Sequence, residues 1–212
     1  MISHRHKFIY SHIPKCAGTT IEVVLKKFAS PSIGSELAKE NKWWRNKKLF
    51  ELYKVNVDYF KFSFSRNPFE RLVSTFSYFT DEKIPFSDFV KDVESFLNSK
   101  PHAIFKEISE NRCINHSVRR NISPLKNALL GYHVLEQNYF VDSSFDFIGK
   151  VENLQSDFDY VCGIVGLDNF ELPQLNRSSH NHYCSYYNTE LRDIVERLYR
   201  KDLEMFNYDY GC

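Results

Sequence analysis

The stretch HIPKCAGTT, residues 12–20, sets one lysine, one glycine and two threonines between an apolar run and a helical pattern. Strand, short loop and helix N-terminus in that order form an anion site. The first helical N–H groups lack intrahelical acceptors, and the helix dipole adds partial positive charge there. In this loop Pro14 stiffens the entry and Lys15 supplies a mobile full charge. Gly18 lets backbone approach a phosphate, and Thr19 and Thr20 offer hydroxyl donors. The nucleotide pattern GxxxxGK[ST] places its lysine after the last glycine, whereas Lys15 precedes Gly18. An ordinary strand-to-helix turn with a surface lysine would carry the same residues.

A second constellation, FSFSRNPFERLVSTF at 62–76, again runs from strand to loop to helix. Arg66 stands at the strand's end and Ser74 eight residues on. A guanidinium fork suits a phosphate, and a hydroxyl one or two turns along can hold its other side. Taken singly, a surface arginine and a helix serine are common. Two such loops on neighbouring strands imply a ligand with two separated phosphate groups.

The elements that must position these residues follow from periodicity. Residues 7–11 and 59–65 read as strands, the second alternating with Phe on one side. Residues 18–28 read as a helix with Ile21, Val24, Leu25 and Phe28 on its apolar face. Asn67 can cap the next helix, Pro68 suits its first turn, and Phe69, Leu72, Val73 and Phe76 form its buried stripe. Ser87 is expected to cap a helix running to about Leu97, and residues 98–130 to hold short helices. FDFIGKVE at 145–152 reads as a strand, ENLQSDFDYVCGIVGL as a helix, and TELRDIVERLYRKDLEMF as one final helix. Strands alternating with helices predict an α/β fold: a single domain, residues 1–212, whose central, mostly parallel sheet is flanked by helices.

Composition limits the partners. The chain has 212 residues, 42% hydrophobic and 16% aromatic, which suits a globular domain rather than a disordered one. A formal charge of +1 argues against nucleic acid as a partner, so any anion site is local. No apolar stretch approaches the roughly 20 residues that span a bilayer. A soluble, cytoplasmic protein is the expectation, or one of the Golgi lumen if a targeting segment has been removed. Five cysteines without CxxC spacing read as free thiols of a reducing compartment, with a single disulfide as the alternative.

Both loops resemble a known family. HIPKCAGTT is similar to the 5′-phosphosulfate loop of the PAPS-dependent carbohydrate sulfotransferases. SRNPFERLVSTF at 65–76 resembles their 3′-phosphate segment, R-D-P-[FY]-x-R-[LF]-x-S. FDFIGKVENLQSDFDYV and the C-terminal YYNTELRDIVERLYRKDLEMFNYDY extend the likeness. It covers most of the chain apart from about 29–58 and 80–130. Two departures stand out: Cys16 replaces the usual threonine and Asn67 the usual aspartate.

The resemblance implies a P-loop-NTPase-like sulfotransferase fold. It also implies PAPS (3′-phosphoadenosine 5′-phosphosulfate) as co-substrate, with no metal required. Pro14, Lys15, Cys16, Ala17, Gly18, Thr19 and Thr20 would cradle the 5′ end, Arg66 and Ser74 the 3′-phosphate, and Arg177 and Ser178 further cofactor contacts. Lys15 would stabilise the leaving phosphate. His133, in GYHVLEQNYF, resembles the histidine of the family's H-x-x-x-Q stretch and would take the acceptor's proton; a packed histidine is the alternative. Glu22 and Glu136 are the carboxylates in reserve. His180, His182 and Cys184 alternate as metal ligands on a strand face would, but no fourth ligand is evident.

The expected partner is a carbohydrate acceptor, anionic or lipid-linked. In KENKWWRNKKLFELYK, 39–54, Trp43 and Trp44 could stack on sugar rings, and the surrounding cations could hold acidic groups. An amphipathic helix with its tryptophans turned inward explains the same residues. A small-molecule or peptidyl-tyrosine acceptor, a P-loop-type nucleotide kinase, and a non-catalytic glycan- or nucleotide-binding module are the rival readings. Oligomeric state is not legible.

Overall fold

The computed structural model describes residues 1–30, 58–80, 83–99, 128–173, 175 and 180–212. Its strands are β1 (Ile2–Ser3), β2 (Phe8–Tyr10), β3 (Phe60–Ser65) and β4 (Phe147–Lys150). Its helices are α1 (Gly18–Leu25), α2 (Pro68–Thr80), α3 (Phe86–Asn98), α4 (Ala128–Val134), α5 (Leu154–Val165), α6 (Thr189–Leu198) and α7 (Arg200–Phe206). The strands form one sheet in the order β1-β2-β3-β4. β1 pairs antiparallel to β2, while β2–β3 and β3–β4 are parallel, with Phe8 opposite Phe60 and Phe62 opposite Phe147. Parallel neighbours need long crossover connections. The expected α/β class with a mostly parallel sheet is what the chain forms.

The described residues group into two compact units, Met1–Arg66 with Gln137–Arg177, and Asn67–Glu136 with Ser178–Cys212. In the first, one sheet face presents Phe8, Tyr10, Phe62 and Phe64 to Ile21, Val24 and Leu25 of α1 and to Phe158, Val161 and Cys162 of α5. The serines between the β3 phenylalanines are buried as well. Ser63 donates to the Ser11 carbonyl at 2.8 Å and Ser65 to the Gly149 carbonyl at 3.2 Å, so neither hydroxyl is buried without a partner.

The second unit is helical, built on Phe69, Leu72, Val73 and Phe76 of α2 with Phe89, Val90 and Val93 of α3 and Leu191, Ile194 and Val195 of α6. The stripe expected on α2 is buried, but so are Arg71, Ser74 and Thr75, leaving that helix enclosed nearly all round. Asn67 caps it as expected: its Oδ1 accepts the Phe69 N–H at 3.0 Å. Its amide nitrogen also donates to the Asp209 carbonyl at 2.8 Å, a bond the family's usual aspartate cannot make. Asn67→Asp should keep the cap but set a carboxylate oxygen against that carbonyl. A loss of about 1–3 kcal/mol is expected from the urea midpoint.

Several sequence expectations need correction. Ser87 does not cap: α3 starts at Phe86 after Pro85, without a side-chain cap. The final helix is two, broken at Tyr199, whose buried hydroxyl donates to the Val134 carbonyl at 2.6 Å. Tyr183–Tyr186 is a 3₁₀ turn, so His180, His182 and Cys184 do not share a strand face. Cys184 and Cys212 form a disulfide, against the expectation of free thiols. Cys16 and Cys162 are free and buried. Burial, helped by Asp159, pushes the Cys162 thiol up to about 11, which makes it inert. Cys113, the segment 39–54 and most of 98–130 lie outside the described residues. Among the described residues no helix is long and apolar enough to cross a membrane.

Candidate functional site

The first loop leaves β2 and turns directly into α1. Two of its residues adopt the left-handed region without being glycine, Lys15 at φ 65° and Ala17 at φ 56°. Each such residue costs on the order of 1–2 kcal/mol, and alternating backbone of this kind gathers N–H groups into an anion-binding concavity. Ala17 is the N-cap of α1, and its side chain makes no capping bond. The leading N–H groups of such a helix have no intrahelical acceptor and can take an anion.

Gly18 also makes room for a neighbouring ring. A Cβ there would stand 2.2 Å from His12 Nε2, so the His12 ring occupies the space a side chain would need. That ring is fixed by Glu22, whose Oε1 lies 3.0 Å from His12 Nδ1. Beside them the buried hydroxyl of Tyr10 has no hydrogen-bond partner among the described residues. Burial chiefly, then Glu22 and Cys16, hold its phenol well above the ordinary value, so it remains a neutral donor. Two left-handed residues at the start of a helix make a backbone that can accept an anionic group.

Arg66 follows β3 and reaches the same loop, its Nη1 donating to the Lys15 carbonyl at 3.4 Å. Its main chain is held by Gln137, which is fully buried. The Arg66 N–H donates to Gln137 Oε1 at 2.9 Å, and Gln137 Nε2 donates to the Arg66 carbonyl at 2.9 Å. The Cys16 thiol donates to the same Oε1 at 3.2 Å. Lys15, Cys16, Arg66 and Gln137 are thus joined within the first unit.

The other expected site residues belong to the second unit or fall outside the described residues. Ser74 is buried on α2 in the second unit. His133 is also in that unit, on α4 and only 3% exposed, its ring edge-on to Phe79 at 4.8 Å and near Tyr78. Arg177 and Ser178 lie outside the described residues. His182, Cys184 and Cys212 place donor atoms within 4.8 Å of one another. Their sulfurs are joined as a disulfide, however, and it is the thiolate that ligates metal. His12 and Gln137 received no role from sequence reasoning. Both stood inside quoted motifs, and the missing signal was their partners, Glu22 ten residues away and Arg66 71 residues away.

The model of the sulfotransferase family matches residues 1–209. The chain belongs to the sulfotransferase family. Carbohydrate sulfotransferase 11 of Danio rerio is 25% identical to it over 237 residues, covering 98% of this chain and 66% of that relative. The chain therefore spans just under two thirds of the relative's length. The crystal structure of a sulfotransferase from Alicyclobacillus acidocaldarius aligns over 97% of this chain and 87% of its own, with 12% identity and a TM-score of 0.40. Within this sulfotransferase family member, the two loops that carried the resemblance are the ones that Gln137 ties together.

Proposed function

We propose that the protein transfers the sulfuryl group of PAPS to a hydroxyl of a carbohydrate acceptor and releases adenosine 3′,5′-bisphosphate. The observation that carries this reading is the union, in one unit, of an uncapped helix N-terminus, Lys15 and Arg66. In the transfer, the acceptor oxygen bonds to sulfur as the bond from sulfur to the bridging phosphate oxygen breaks. Positioning and charge stabilisation govern such a loose, in-line transition state.

Lys15 and the N–H groups of the first loop neutralise charge developing on the leaving phosphate. Pro14, Cys16, Ala17, Gly18, Thr19 and Thr20 shape that cradle. Arg66 and Ser74 hold the 3′-phosphate, the group that separates PAPS from ATP, and Arg177 and Ser178 add cofactor contacts. His133 takes the acceptor's proton, and His12, oriented by Glu22 at the first loop, is a second histidine placed for that task. No residue role requires a metal, so binding should not depend on Mg²⁺. The disulfide supports an oxidising compartment such as the Golgi lumen over the cytoplasm.

Calorimetry tests the reading. Adenosine 3′,5′-bisphosphate should bind without metal and more tightly than ATP with Mg²⁺. Arg66→Ala should weaken that binding by about 10- to 100-fold, the worth of a charge-assisted contact. Preference for Mg·ATP would instead support the kinase, and selective binding without turnover on any glycan would support the binding module.

A further inference from the structure

Gln137 lies outside the residues assigned to the donor, yet its amide meets both donor loops. We infer that Gln137 is a positioning residue of the sulfuryl-donor site. It holds the Arg66 main chain from both sides and fastens it to the first loop through Cys16. The inference rests on the function proposed above.

Three bonds converge on one buried amide. Two of them, at 2.9 Å each, engage the N–H and the carbonyl of Arg66 as a neighbouring strand would. These groups follow the last residue of β3, Ser65, where strand pairing ends at Ser65 opposite Lys150. Without Gln137, the N–H and the carbonyl at the root of the arginine would lose the two bonds it supplies, and the guanidinium would lose a fixed origin. The third bond ties the Cys16 thiol at 3.2 Å to the oxygen that already accepts from Arg66. Cys16 sits between the two left-handed residues, Lys15 and Ala17, so the clasp anchors the loop at the centre of its unusual backbone. A glutamine suits the post because it offers an acceptor with two lone pairs and a donor on one planar group. Glutamate would lack the donor, and leucine or methionine would supply neither.

The arrangement makes Cys16 more than a stand-in for the family's usual threonine. Its thiol is buried and hydrogen-bonded, and it reports through Gln137 on the position of residue 66.

The test uses Gln137→Met, which keeps length and volume but removes all three bonds. Hydrogen exchange by mass spectrometry should show the Arg66 amide exchanging at least about tenfold faster than in the wild type, with no such change in the peptide covering α6. Affinity for adenosine 3′,5′-bisphosphate should fall about tenfold in the wild-type background and less than about twofold in the Arg66→Ala background. A residue that merely stabilised the fold would cost both backgrounds equally. Equal losses, or an unchanged Arg66 amide, would overturn the inference. If Gln137→Met does not fold, Cys16→Ala removes one bond of the three and should speed exchange across residues 15–17; unchanged exchange there would overturn it. Should the wild type bind no bisphosphate, the proposed function falls, while amide exchange still decides the clasp.

Discussion

Lys15→Ala should lower sulfuryl transfer by about 10²- to 10³-fold, the loss expected when one preorganised group facing developing charge is removed. Alanine is the informative substitution because of the backbone. Residue 15 sits at φ 65°, where any Cβ is penalised alike, so alanine keeps the conformational cost and deletes only the ammonium. The Lys15 carbonyl, which accepts from Arg66, is also retained. Release of adenosine 3′,5′-bisphosphate from PAPS in the presence of a panel of desulfated glycans gives the rate, and calorimetry gives the affinity. The rate should collapse while bisphosphate affinity falls by less than about tenfold, since the charge matters most in the transition state. Equal losses in both would place Lys15 in ground-state binding alone.

Arg71→Met should destabilise the fold by about 3–5 kcal/mol, the cost of stripping one charge from a buried group. Arg71 is only 2% exposed, and its Nη2 donates to the His133 carbonyl at 3.0 Å. It shares its surroundings with Tyr199, Glu136 and Asp202. Burial raises the Tyr199 phenol far above its ordinary value, Arg71 opposes that rise, and Glu136 and Asp202 add to it. Asp202 is fully buried, and Glu136 has a buried carboxylate oxygen without a hydrogen-bond partner among the described residues. With the guanidinium gone, these carboxylates lose a positive charge that shares their low-dielectric surroundings. Denaturant unfolding should show the loss, and adding Asp202→Asn to Arg71→Met should restore part of it. A double variant no more stable than Arg71→Met would show that charge compensation is not what holds Arg71.

Much of the fold was legible because its signals are local. The alternation through Phe60, Phe62 and Phe64, and the cap-and-proline start at Asn67 and Pro68, each lie within a few residues of what they determine. The two strand–loop–helix stretches, β2 into α1 and β3 into α2, were legible for the same reason. What escaped was set by partners distant in sequence. Arg71 appeared as one letter of a motif, and nothing in α2's periodicity says that its outer face is covered too. That Gly18 also leaves room for the His12 ring could not be read from the loop, because nothing in its spacing says which way that ring turns. The break at Tyr199 was hidden because the residue itself is compatible with a helix, and its hydroxyl partner is 65 residues away. The disulfide joins cysteines 28 apart with no spacing signature.

That disulfide closes a covalent ring around α6 and α7. A protease cutting any single bond between Cys184 and Cys212 would nick the chain yet release no fragment. Tyr183 and Tyr210, joined by a hydroxyl-to-carbonyl bond of 2.6 Å beside the ring's closure, help hold its two ends together. Nicked molecules would run as one band on a gel until a reductant was added. In a protease-rich milieu this portion of the chain can thus be damaged without being shed.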